Sequence, residues 1–180
     1  LRQKEQIDLT ITAGQLKTLF GKPLAEIAAL VFPKYPENEQ LRLIDGCCEA
    51  EHALLHITGA PLYEDLEKAL QILSAQYPLY IVSNSQCGYI ELFLAKTGFA
   101  KYFHGHLCNG DTGLDKGSNI RQIADQNGLK DPVYVGDTMG DFEACRKAGV
   151  PFVLAEYGFG EVPEPDMRIS KPMDLITLFC

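Results

Sequence analysis

The chain has 180 residues, 46 % hydrophobic and 22 % charged, with a formal net charge of −8. That length can bury a real core as one domain, or as one domain with a small insertion. The acidic balance excludes a basic, phosphate-neutralising surface for nucleic acid, and no apolar run has the length of a membrane span or reads as a secretory signal.

Residues 1–58 read as helices without a convincing strand. Thr12-Ala13-Gly14-Gln15 is a capping-box pattern that opens a short helix through Leu16, Leu19 and Phe20. Gly21-Lys22-Pro23 breaks it, and Pro23 suits the first turn of a second helix over 24–32, which Pro33 and Pro36 end. A third, amphipathic helix is predicted over 37–56, with Leu41, Ile44, Cys48 and Leu55 among its apolar positions. Gly59-Ala60-Pro61 is a breaker and divides the chain into a helical unit, 1–60, and a second unit, 61–180.

From Leu62 onward helix and strand alternate. Residues 64–76 are helical, and 79–82 form a short buried strand that ends at Ser83-Asn84-Ser85. A helix over 86–97 stops at Gly98, and a weak strand over 104–108 runs into a turn-rich loop, 109–115. A helix over 118–127 is closed by Gly128. Val133 to Val135 then reads as a buried parallel strand, followed by a helix through Phe142, Ala144, Cys145 and Ala148 with Gly149 as its stop. A strand over 151–155 and a short element near 167–169 complete the pattern. Strands separated by helices mean right-handed βαβ crossovers. The expected class is α/β: a Rossmann-like parallel sheet core with helices on both faces, preceded by the small helical unit. The six cysteines, 47, 48, 87, 108, 145 and 180, lack metal-type spacing, and several sit in apolar patterns. A reduced, cytoplasmic chain without a disulfide framework is expected.

Three strand ends carry chemistry. Ser83-Asn84 offers a hydroxyl and backbone amides where sheet meets helix, a seat for phosphate; the ordinary alternative is a helix cap. Lys116 follows the turn-rich loop and supplies a point charge suited to a phosphoryl group, the alternative being a surface lysine. Asp137 ends the strand after Gly136, and Asp141 follows one helical turn later, so both carboxylates can face one crevice, an oxygen site suited to Mg²⁺. The alternative there is a helix cap with a solvated acid. His52 and His56 lie four apart on a helix but have no partner pattern.

Ser83, Lys116 and Gly136-Asp137-x-x-x-Asp141, in this order and spacing, resemble the second, third and fourth motifs of the haloacid dehalogenase (HAD) superfamily. Tyr157-Gly158-Phe159-Gly160 resembles a loop of its phosphoglycolate-phosphatase-like branch, and residues 1–58 resemble that branch's α-helical cap. The first motif, Asp-x-Asp-Gly-Thr/Val after an apolar strand, is absent from the 180 residues; Ile7-Asp8-Leu9-Thr10 is the nearest imitation and reads as the approach to the first cap helix. The resemblance places the strand of that motif at the centre of the sheet, between the Ser83 and Asp137 strands. Without it both neighbours would keep unpaired backbone groups in the core. A longer native polypeptide is therefore expected, with the 180 residues inactive alone.

The resemblance implies a phosphatase that hydrolyses a small phosphorylated metabolite through an aspartyl-phosphate, with Mg²⁺ as cofactor. Asp137 would hold the metal, Ser83 and Asn84 the phosphoryl oxygens, and Lys116 the charge that develops. Asp141 would orient Lys116 or a metal-bound water. Lys22, in the turn that opens a cap helix, is the candidate cap contact to substrate, its alternative being a solvated loop lysine. A monomer or homodimer, without nucleic acid or membrane, is expected. Other readings are a non-catalytic binding protein of the same fold and a sugar-phosphate mutase.

Overall fold

A computed structural model describes residues 11–59 and 61–180. Ile7-Asp8-Leu9-Thr10 and Ala60 lie outside the described residues. The helical part begins with α1 (Ala13–Lys17), opened by the capping box expected from its sequence: Gln15 N donates to Thr12 Oγ1 at 3.2 Å and Thr12 N to Gln15 Oε1 at 3.0 Å. α2 (Leu24–Val31) starts after Pro23, whose missing N–H costs nothing at a helix entrance. α3 (Glu37–Thr58) runs two residues past its predicted end, to Gly59 at φ 65°. Ala28, Phe32, Leu43 and Ile44 bury against one another and join α2 to α3.

The remaining elements are α4 (Leu66–Ser74), β1 (Leu79–Ser83), α5 (Tyr89–Thr97), a 3₁₀ turn (Phe99–Tyr102), β2 (Phe103–Cys108) and the one-turn α6 (Asn109–Thr112). They continue with α7 (Lys116–Gln126), β3 (Tyr134–Gly136), α8 (Met139–Ala148), β4 (Phe152–Ala155), β5 (Met167–Ile169) and α9 (Asp174–Phe179). All pairings are parallel. Alternation along the strands splits the core into layers. Val82, Phe152 and Leu154 pack with Ile120 of α7 and Ala144, Cys145 and Ala148 of α8. Ile81 faces the other way, onto Leu66 and Leu70 of α4 and Ile90 and Leu94 of α5, while Val153 and Ala155 meet α9. Helices therefore cover both faces, the α/β class expected from the sequence.

Two expectations need correction. Among the described residues the strands make two sheets, β1–β2 and β3–β4–β5, not one. The β1 and β3 strands are also not buried: every residue of β1 is half-buried, Val135 of β3 is 39 % exposed, and Val133, expected in that strand, lies just before it and is 38 % exposed. Among the described residues β1 and β3 each have a hydrogen-bonded strand on one side only. The Tyr134 hydroxyl bridges the two sheets by donating to Val82 O at 2.9 Å.

All six cysteines are free thiols. Burial, together with neighbouring carboxylate charge, pushes Cys145 up to about 12, so it behaves as a small apolar side chain. No helix among the described residues is long and apolar enough to cross a membrane.

Candidate active site

The site forms at the carboxyl ends of β1 and β3, where an open α/β sheet exposes its strand ends. Thr138 caps α8, accepting from Asp141 N at 3.2 Å, while Asp141 folds back under the strand end. Its Oδ2 accepts from Asp137 N at 3.1 Å, Thr138 N at 3.0 Å and the Thr138 hydroxyl at 2.8 Å. Its Oδ1 meets Lys116 Nζ at 2.5 Å. Both partners are buried, Lys116 at 9 % exposure and Asp141 at 3 %, so neither is a solvated surface charge. Burial raises the Asp141 carboxyl, but the Lys116 ammonium and the Thr138 hydrogen bond outweigh it and hold it below the usual range.

Lys116 opens α7 two residues earlier than its sequence predicts, because Asp115 is the cap: Ser118 N donates to Asp115 Oδ1 at 3.1 Å. The loop before it is fixed from below by Asn119, fully buried, which accepts from the Thr112 hydroxyl at 2.9 Å and donates to Leu114 O at 3.3 Å. Sequence reasoning passed over Asn119. The signal was an amide at an apolar-periodic position, between Lys116 and Ile120 on the inward face of α7.

Asp137 is half-buried and, among the described residues, has no Lys or Arg ion-pair partner. Its Oδ2 accepts from Phe159 N at 2.9 Å. Burial pushes its carboxyl up and the Asp141 charge adds to that, with the Phe159 amide and Lys116 acting in opposition. The loop 157–160 closes on it so tightly that a Cβ at Gly158 would lie 2.2 Å from Asp137 Cβ. This backbone grip on Asp137 was not read from the sequence.

The β1 end departs from expectation. Ser83 and Asn84 do not stand at a helix N-terminus, since α5 begins only at Tyr89, after Gly88 at φ 82°. Ser83 Oγ accepts from Ser85 N at 3.1 Å. Asn84 Nδ2 donates to Gly21 O at 2.7 Å, which ties the α1–α2 turn to the strand end. Asn84 Oδ1 and the Ser85 hydroxyl are buried beside the site without a hydrogen-bond partner among the described residues. Lys22 Nζ, in the turn before α2, pairs with Glu26 in the first turn of that helix, and no ion pair or hydrogen bond joins it to Ser83, Lys116 or Asp137. His52 Nε2 lies 3.2 Å from Gln86 Nε2 and its ring stacks on Tyr89, so it anchors α3 to the core.

The same α1–α2 turn is held by Phe20, whose ring centroid lies 4.5 Å from that of Phe159, beside Asp137. In a double-mutant cycle of Phe20→Ala and Phe159→Ala on urea stability, a coupling of about 0.5–1.5 kcal/mol is expected. Additive losses would mean the rings do not hold the turn onto the core.

Residues 1–155 match the profile of the haloacid dehalogenase-like hydrolases. A phosphoglycolate phosphatase of Escherichia coli (strain K12) is 26 % identical over 175 residues, covering 91 % of this chain and 66 % of that protein. One of Salmonella typhi is 26 % identical over 172 residues, covering 89 % and 66 %. The chain thus spans just under two thirds of the length of these curated relatives. A haloacid dehalogenase-like hydrolase of Streptococcus pneumoniae, 21 % identical, has the same fold at a TM-score of 0.84 over 99 % of this chain and 86 % of its own.

Proposed function

Because the chain belongs to the haloacid dehalogenase-like hydrolase family, we propose that it carries the phosphoryl and metal site of a Mg²⁺-dependent phosphatase acting on a small phosphomonoester. One observation carries this reading: two acids meet at one strand end, and only one of them is neutralised. Asp141 is paired with buried Lys116, whereas Asp137 is half-buried, raised by desolvation and without a cationic partner among the described residues. An oxygen donor in that condition fits a hard divalent cation, so Asp137 is the residue that would hold Mg²⁺. When bound there, Mg²⁺ supplies neutralisation of charge between an attacking carboxylate and the phosphoryl oxygens.

The protein's own residues supply positioning and electrostatics, which is most of what phosphoryl transfer asks. Lys116 brings a fixed positive charge to the strand ends, oriented by Asp141. Ser83 and the amides around Asn84 receive phosphoryl oxygens at the end of β1. The family resemblance assigns the attack on phosphorus to the first acid of Asp-x-Asp-Gly, a sequence that the 180 residues do not contain. Its carboxylate oxygen would bond to phosphorus as the ester P–O bond breaks, the second acid would protonate the leaving oxygen, and water would then release phosphate. The turn tied down by Asn84 and Phe20 would keep bulk water from the site and place Lys22 near the leaving group. The similarity to phosphoglycolate phosphatases, 26 % identity, favours a small, anionic phosphate ester, and the free thiols favour a cytoplasmic setting.

Inorganic phosphate, as product, tests this by calorimetry on the full native polypeptide. Binding is expected to need Mg²⁺, and to weaken by about 1.5–3 kcal/mol, about tenfold to a hundredfold in Kd, in Lys116→Gln under conditions where the variant is folded. Phosphate affinity indifferent to Mg²⁺ and to Lys116→Gln would refute the assignment.

A further inference from the structure

A second cluster of ligating side chains lies on the α5 side of β2 and plays no part in the reading above. One donor atom each of Glu91, His106 and Asp111 falls within 4.8 Å of the others. The geometry points to a second cation site there, formed by Glu91, His106 and Asp111 and suited to Zn²⁺ rather than Mg²⁺; it shares no residue with the Asp137 site.

The placement follows from the chain. His106 and Cys108 are two apart on β2, so their side chains leave the same face, the face on which Cys108 packs against Ile90 and Leu94 of α5. Glu91 stands on that helix, next to Ile90. Asp111 comes from α6, which follows β2 directly. The two segments are pressed together. Gly110 N donates to Ser85 O at 3.0 Å, and a Cβ at Gly110 would lie 2.2 Å from Cys87 N, so the close approach requires glycine.

Three features of the cluster ask for a ligand. Two carboxylates converge with no Lys or Arg ion pair to either among the described residues. The Nδ1 of His106 is buried and has no hydrogen-bond partner among the described residues, so it is a donor atom left over in the fold. The Asp111 carboxylate is meanwhile oriented by thiols, with Cys108 Sγ 3.0 Å from Oδ2 and Cys87 hydrogen-bonded to the same group. One imidazole and two carboxylates are zinc ligands at distances of about 2 Å, and the exposed Cys87 thiol stands beside them as a further donor. Mg²⁺ selects all-oxygen sites and keeps its water, so the imidazole sets the preference.

The test is titration of Zn²⁺ alone into the reduced full chain held in excess Mg²⁺. One Zn²⁺ per chain is expected to bind saturably. Glu91→Gln, at an exposed helix position, and His106→Gln should each weaken it about tenfold or more, since even changes around a metal's ligands cost about 10–100-fold. Asp137→Asn should leave the zinc affinity as it was, and far-UV circular dichroism checks that each variant is folded. No zinc binding against Mg²⁺ overturns the proposal. So does binding untouched by Glu91→Gln and His106→Gln, as for zinc held by Cys47 and Cys48, and so does binding lost only in Asp137→Asn.

Discussion

Asp141→Ala is expected to lower the unfolding free energy by about 3–5 kcal/mol, read as a fall in the urea midpoint, because it strands the Lys116 ammonium in the interior. The pair is buried on both sides, and Asp141 also accepts hydrogen bonds from Thr138 and from the Asp137 amide. Removing the carboxylate therefore leaves an uncompensated charge and loosens the first turn of α8. Replacing both partners by apolar groups, Lys116→Met with Asp141→Leu, should cost less than Asp141→Ala alone, because no buried charge then remains unpaired. The pH dependence has a definite sign. The folded-state carboxyl of Asp141 is held below its ordinary value, so its contribution is present above the unfolded carboxyl range and is lost as pH falls through the folded value. Wild type should accordingly lose more stability on acidification than the double variant does. Equal acid sensitivity would mean that the pair does not stabilise the fold.

Asp137→Asn should have the opposite effect on stability and the largest effect on function. Burial, aided by Asp141, raises the folded-state carboxyl of Asp137, so the folded chain binds this proton more tightly than the unfolded chain does. Above the unfolded carboxyl pKa the ionised group therefore costs stability, and that cost disappears as pH falls below it. Without Mg²⁺ at neutral pH the Asn variant, still able to accept from Phe159 N–H, is expected to be the more stable protein. In the full native polypeptide it should lose Mg²⁺-dependent turnover by several kcal/mol of barrier, about a thousandfold. A variant with wild-type turnover would remove Asp137 from the metal site. A variant that is both less stable and less active would show that Asp137 is a structural cap.

Much of this was legible because it rests on local physics. Thr12 and Gln15 announce the capping box, and the single-turn spacing of Asp137 and Asp141 announces a strand end followed by a helix. What escaped the sequence depends on long-range contact. Val133 and Val135 are β-branched and apolar, so they read as buried, but their exposure is set by which strands flank β3, information that no local pattern holds. Ser83-Asn84 looks like a helix entrance because nothing nearby reveals that Gly88 delays the helix to Tyr89. The Phe159 amide on Asp137 and the convergence of Glu91, His106 and Asp111 bring together residues from separate segments of the chain. Lys116 and Asp141 are 25 residues apart, and only the packing of α7 on α8 turns two ordinary charges into one buried pair.

The most direct test of the phosphatase reading is phosphate release from a panel of small phosphomonoesters by the full native polypeptide, with Mg²⁺ and with chelator. Release that needs Mg²⁺ and stops with chelator, strongest on small anionic esters, is the expected result. Release that persists with chelator, or none at all from folded protein that still binds Mg²⁺, would contradict it.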